Sequence, residues 1–206
     1  MIECTHPQGS EEWLLDRLGI PTASMYKSII TSTGKPSTSS KGYMNSLLAD
    51  WLAGKPVDAF EPNQAMLNGT EREAEARDLY SFITDKTVSE TGFWFKDNKK
   101  LTGCSPDGIL SDNGLIEIKC PKGSTLVGYK LANKLPADYV PQVMGQMWVM
   151  DSEYCDFFVY HPDIDNFYIR VDRDDKYISL LETEVNKFID TMLEKRELLS
   201  SQMKVA

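Results

Sequence analysis

The sequence predicts an α/β (α+β) domain with a central mixed β-sheet flanked by helices. Three observations carry this. Hydrophobic spacing is helical up to Ile83 and alternates from Val88 onward. After that change the segments run as strands, then helical stretches, then two strands, then a long helix. The strand-like runs are rich in aromatic and β-branched residues, and "SPDG" and "SDNG" punctuate them as turns.

Taken in order, "EEWLLDRLG" sets Trp13, Leu14 and Leu18 at helical spacing, with Gly19 able to stop the helix. Pro21 and Thr22 open a second helix in "PTASMYKSII". Thr31 to Gly42, "TSTGKPSTSSKG", is polar and rich in Gly, Ser and Pro, and reads as a mobile loop carrying two lysines. "YMNSLLADWLAGKP" is an amphipathic helix ended by Gly54 and Pro56, and a longer helix runs from near Asn63 to Ile83, weakened locally by Gly69. "VSETGFWFK" reads as one strand, "LTGCSPDGIL" as a second and "LIEIK" as a third. "GSTLVGYKLANK" and "ADYVPQVMGQMWVM" read as helices, the latter with Pro141 near its start. "YCDFFVYH" and "FYIRVDR" form a hairpin, and a charged amphipathic helix runs from Asp174 to the end.

A chain of 206 residues, 41% of them hydrophobic, fits one large domain with a sizeable core, or at most one domain with a small appendage. No apolar run approaches the roughly 20 residues a membrane span needs. The opening residues lack a basic stretch followed by an apolar one, so no secretion signal is expected, and the cytoplasm is the expected location. The four cysteines form no C-x-x-C pair and there are two histidines, which argues against zinc and haem. A net charge of −9 weakens a nucleic-acid partner, because the phosphate backbone needs cations. Its distribution says more. Arg17 to Ala49 holds no acid but Arg17, Lys27, Lys35 and Lys41; Ile118 to Ala137 holds no acid but Lys119, Lys122, Lys130 and Lys134. A local basic surface on an acidic protein suits a polyanion, although chance segregation gives the same pattern.

The chemistry gathers in "GLIEIKCP". Glu117 and Lys119 are two apart on a strand and share one face, with Ile116, Ile118 and Cys120 on the other. Asp107, in "SPDG", lies ten residues before Glu117, and the "SDNG" turn between them makes a hairpin that can set the two carboxylates side by side. Neighbouring carboxylates repel, and one would normally take up a proton. A hard divalent cation removes the conflict, and Mg²⁺ suits a site of one or two carboxylates, waters and a substrate phosphate. Lys119 can then hold or deprotonate an attacking water and offset charge on the phosphorus centre. Those parts serve metal-assisted phosphodiester hydrolysis. A surface aspartate in a turn beside a cross-strand Glu–Lys pair is the commonplace alternative.

"SPDG … LIEIKCP" resembles the PD-(D/E)xK nuclease superfamily, and the chain as a whole resembles the phage lambda exonuclease (YqaJ-like viral recombinase, alkaline exonuclease) family. Five blocks in order carry this: "WLLDRLGIPTAS", "GTEREAEARDLY", the two hairpin segments "TGCSPDGIL" and "LIEIKCP", "YVPQVMGQMWV" and "RDDKYISLLETEVNKFI". The resemblance implies a restriction-endonuclease-like core in one nuclease domain over 1–206. Within it, 1–60 would be a helical part contributing to DNA-end binding, 61–171 the catalytic core and 172–206 the C-terminal helix. It implies a Mg²⁺-dependent 5′→3′ exonuclease on linear double-stranded DNA, acting with two ions, for which Mn²⁺ could substitute. A homotrimeric ring and a single-strand annealing partner in recombination are implied with it. Residue by residue, Asp107, Glu117, the Ile118 carbonyl and Glu73 would hold or assist the metals. Lys119 would orient the water, and Gln142 would steady that water or the lysine. Arg17, Thr22, Ser24 and Ser105 would hold the 5′-phosphate, Lys35 would add a basic contact, and Met66 would wedge the duplex end apart.

Each residue has a competitor. Glu73 sits among Glu71, Glu75, Arg72 and Arg77, so a solvated charged face is the alternative. Gln146 competes with Gln142, Arg17 could pair with Asp16 or Glu12, Met66 could fill core, and Trp13 reads as packing. The competing functions are a restriction-type endonuclease or RecB-like nuclease module, and a non-catalytic DNA-end-binding module.

Overall fold

The computed structural model of the chain describes residues 1–57 and 64–203, without the side chains of residues 64–71. The elements run β1 (Ile2–Glu3), α1 (Glu11–Asp16), a 3-10 helix (Ala23–Ser28), α2 (Ser40–Ala53), α3 (Gln64–Thr84), β2 (Val88–Ser89), β3 (Trp94–Phe95), β4 (Gly103–Cys104), β5 (Gly108–Leu110) and β6 (Leu115–Lys119). Then come α4 (Gly123–Ala132), a 3-10 turn (Ala137–Tyr139), α5 (Val140–Met150), β7 (Tyr154–His161), β8 (Ile164–Asp172) and α6 (Asp175–Met203). Five strands form the mixed sheet, in the order β2-β5-β6-β7-β8. Only β6 and β7 run parallel, as the intervening helices require.

Alternation along β6 and β7 divides the core. Ile116, Ile118 and Phe158 pack with Ala76 and Tyr80 of α3 and with Leu110. Leu115, Cys155, Phe157 and Val159 point the other way, into the larger core built with α5 and α6. Between them on β6, Glu117 shares the face of Leu115. The polar face foreseen for "LIEIK" is therefore a buried face looking at α5.

Two predicted strands are broken in the structure. "VSETGFWFK" divides into β2 and β3, and "LTGCSPDGIL" into β4 and β5, with the halves in different sheets. β3 and β4 join β1 in a second, three-stranded sheet, β1-β3-β4. Glycines allow the close approach: a Cβ on Gly92 would lie 2.4 Å from the Cys4 carbonyl oxygen, and one on Gly103 2.2 Å from that of Trp94. The segment read as a mobile loop is also tied down. Ile30 bridges Pro36, Thr31 N donates to Lys35 O at 2.8 Å, and Tyr177 Oη donates to Thr31 O at 2.9 Å. Helix α2 already starts at Ser40, within that segment.

The 3-10 helix sits on α5 through Gly145, where a Cβ would fall 2.4 Å from the Tyr26 ring. Tyr26 is fully buried, its hydroxyl 2.6 Å from Thr102 Oγ1, which in turn donates to Pro21 O at 2.8 Å. This contact fixes the chain at Pro21–Ser24 against the site. Gly145→Ala is expected to cost about 1–3 kcal/mol by overpacking, read as a lower urea midpoint.

On the α3 side of the sheet, Asp156 is fully buried. It accepts from Arg170 Nε at 2.9 Å, Arg170 Nη2 at 3.0 Å and Tyr80 Oη at 2.6 Å. At the far end of the chain Arg196 of α6 donates to the Gly19 carbonyl, holding the turn before Pro21. Among the described residues no helix is long and apolar enough to cross a membrane.

Candidate active site

The β5–β6 hairpin pairs Gly108 with Ile116 and Ile109 with Leu115, so the next position sets Asp107 opposite Glu117. Strand pairing stops there. Instead, Asp107 Oδ2 accepts the Ile118 N–H at 2.7 Å. In an extended strand the N–H and C=O of one residue leave on the same side, so the Ile118 carbonyl also leaves toward Asp107.

Glu117 is 1% exposed, and both its oxygens are held. Oε1 accepts from Lys119 Nζ and from Gln142 Nε2, the latter at 2.6 Å. Oε2 accepts from Gln146 Nε2, also at 2.6 Å. Gln142 and Gln146 are one turn apart on α5, so one helix face presents both amides to β6.

The opposite wall comes from the N-terminal part. Arg17 caps the C-terminus of α1, and its guanidinium lies 3.9 Å from the Trp13 ring centroid. Trp13 Nε1 donates to Ser105 Oγ at 3.1 Å. Thr22, the N-cap of the 3-10 helix, has its hydroxyl 3.2 Å from that of Ser24, and its N–H donates to Tyr43 Oη at 3.2 Å. Trp13, Arg17, Thr22, Ser24 and Ser105 face Asp107, Glu117, Lys119 and Gln142 across one cavity of about 130 Å³, which Gln8 also lines. A second cavity of about 370 Å³ shares Gln8, Trp13 and Asp107 and adds Gly9, Glu73, Arg77 and Glu90.

The sequence matches the YqaJ-like viral recombinase domain across residues 12–153. The chain belongs to this family. No curated protein matches it. Among solved structures, this YqaJ-family chain is similar to an alkaline exonuclease from Laribacter hongkongensis (34% identity, TM-score 0.87, covering 96% of this chain and 100% of that one). The same relative in complex with dAMP matches with a TM-score of 0.85 at 34% identity, with the same coverage. A phage-related exonuclease from Haemophilus somnus shares the fold (19% identity, TM-score 0.66, 85% of this chain and 96% of that one). Family membership makes the chain an exonuclease, a hydrolase on the mixed α/β fold read from its sequence.

The structure thus gathers eight of the residues singled out in the YqaJ-family sequence around one cavity: Arg17, Thr22, Ser24, Ser105, Asp107, Glu117, Lys119 and Gln142. Ile118 does not line it, but its N–H donates to Asp107, which does. Glu73 lies across Asp107, in the adjoining cavity. Lys35 is exposed and, among the described residues, lines neither cavity; the side chain of Met66 lies outside the described residues. Three readings change. Trp13 does more than pack, since it supports Arg17 and Ser105 at once. Gln142, read as steadying the water or the lysine, donates to Glu117, the carboxylate that also holds Lys119. Gln146 does not compete with Gln142 but joins it on the same carboxylate. Of the two competing partners for Arg17, Asp16 pairs with His6 at 2.8 Å, and Glu12 makes no ion pair among the described residues. Among the described residues Arg17 makes no ion pair.

Electrostatics set the site's appetite. Burial, and then the charge of Glu117, raise the Asp107 pKa above the usual carboxylate range, with Lys119 opposing. Burial pulls on the Lys119 ammonium, but Glu117 and Asp107 outweigh it and hold the group protonated. Burial also raises Glu73, against the pull of Lys119 and Arg77, and lowers Arg17. Two close carboxylates, one of them pushed toward protonation, fit a divalent cation well. Among the described residues no three His, Cys, Asp or Glu side chains gather as a closed metal cage. Two carboxylates with a backbone carbonyl beside them would leave positions for water or phosphate, a set that suits Mg²⁺ more than a structural zinc.

Proposed function

We propose that this protein is a Mg²⁺-dependent 5′→3′ exonuclease that degrades one strand of linear double-stranded DNA from a 5′-phosphorylated end. The observation that carries this is the single small cavity with an unpaired, aromatic-backed arginine on one wall and a carboxylate pair with a lysine on the other. A volume of about 130 Å³ has room for a phosphate group between the two walls. A relative crystallised with dAMP, a deoxynucleoside monophosphate, supports the substrate class.

Asp107, Glu117 and the Ile118 carbonyl would hold the metal, and Glu73 would assist from the adjoining cavity. A Mg²⁺ ion bound there would supply Lewis acidity and lower the pKa of a water. Lys119 orients the attacking water and offsets negative charge as it builds on the phosphate. Gln142 keeps Glu117 aimed. Arg17 supplies a planar fork for the terminal phosphate, and the hydroxyls of Thr22, Ser24 and Ser105 add donors. Gripping the end puts the next phosphodiester at the carboxylates, which favours removal from ends over internal cutting. The 3′ overhangs left behind suit recombination by single-strand annealing, and a homotrimeric ring around the duplex would keep the enzyme on its track.

Digestion of an end-labelled linear duplex with Mg²⁺, beside a closed circle of the same DNA, tests the reading. Loss of 5′ label as short products with the circle untouched is expected; cutting of the circle would instead favour an endonuclease. In the same assay Arg17→Ala is expected to shrink the preference for 5′-phosphorylated over 5′-hydroxyl ends by about tenfold or more, the worth of charge-assisted hydrogen bonds. An unchanged ratio removes the pocket assignment.

A further inference from the structure

Glu117 is held at both ends of its carboxylate, and the two ends face different surroundings. Oε1 meets Lys119 and Gln142, which line the cavity. Oε2 meets Gln146 alone, from inside the core. Gln146 is 1% exposed and lines neither cavity, so it does not touch a substrate. Its own amide has one workable orientation. Reversed, its carbonyl would point at a carboxylate. As placed, its Oε1 faces the Cys155 thiol at 3.9 Å, a weak donor from β7. Burial, with Glu117 and Asp156 nearby, holds Cys155 in its protonated form.

We propose that Gln146 is a positioning residue whose amide fixes the second oxygen of Glu117 and so sets the angle at which that carboxylate meets the cation. A carboxylate tied at one oxygen swings about that bond; tied at both it keeps one plane. Groups that orient ligands in this way are worth about 10- to 100-fold in metal affinity. The chain from Cys155 through Gln146 to Glu117 carries the fit of β7 against α5 to the site. This rests on the reading of Asp107 and Glu117 as the metal-holding pair.

The test is Mn²⁺ binding to the DNA-free protein by isothermal titration calorimetry, comparing wild type, Gln146→Met and Glu117→Gln. Methionine keeps the volume and removes both polar ends. The dissociation constant of Gln146→Met is expected to rise about 10- to 100-fold. Its KM for DNA at saturating Mn²⁺ is expected to stay near wild type, a split that general loosening would not produce. Should Gln146→Met not fold, Gln146→Asn replaces it, since its amide falls one methylene short of Glu117, and the same loss is expected. Wild-type Mn²⁺ affinity in the folded variant overturns the positioning role, provided Glu117→Gln loses the ion. If wild type binds no Mn²⁺, or Glu117→Gln binds it equally well, the metal-site reading itself fails.

Discussion

Lys119→Ala is expected to slow DNA hydrolysis by about 10²- to 10³-fold while binding to duplex ends in Ca²⁺ stays measurable. The ammonium is half-buried, bonded to Glu117 and 5.5 Å from the Tyr139 ring centroid, so its charge works in a low dielectric against the cavity. It is the cation on the carboxylate wall. The facing wall has its own in Arg17, and on the function proposed above that cation holds the phosphate, so ground-state binding should survive. Single-turnover cleavage and an end-binding titration, run on the same preparation, separate the two. Cutting that persists near the wild-type rate would remove the role given to this side chain.

The second large effect concerns stability. Asp156 is fully buried, and among the described residues two of the three hydrogen bonds to its carboxylate come from Arg170. Arg170→Ala leaves a buried carboxylate with only the Tyr80 hydroxyl, and is expected to cost about 3 kcal/mol at pH 7. Tyr80→Phe should cost about 1 kcal/mol, the net worth of one hydrogen bond. The decisive comparison is the double variant Asp156→Leu with Arg170→Met, which removes the stranded charge and should recover most of the loss in a urea titration. If the double variant is as unstable as Arg170→Ala, the cost lies in lost packing of the arginine over Tyr154, whose ring centroid is 3.9 Å away.

How much of this was legible in the sequence depended on how local the cause was. "LIEIK" was readable residue for residue, because period-two alternation and a turn signal act within a few positions. The pairing of Asp107 with Glu117 followed from the same turn. The second sheet was not readable. Its strands are two residues long, below the reach of any periodic pattern, and they exist because β1 arrives from far away in sequence. Gly92 and Gly103 were the available hints, as glycines inside strand-like runs often mark such an approach. The site divides in the same way. Asp107, Glu117, Lys119 and Arg17 stood out by charge and motif. Trp13 and Gln146 did not, since each works through a neighbour supplied by another element. An indole looks like core until Ser105 is found at its N–H, and a second glutamine looks redundant until both oxygens of Glu117 are counted.

β4 and β5 belong to different sheets, and only Ser105, Pro106 and Asp107 join them. Three residues span at most about 10 Å, so this link keeps the ends of the two strands close together. On the function proposed above, it carries the grip at Ser105 and the blade at Asp107, two positions apart. On that reading the distance from the held end to the cut bond would be set by a short stretch of backbone, and the released length would not vary with the bases.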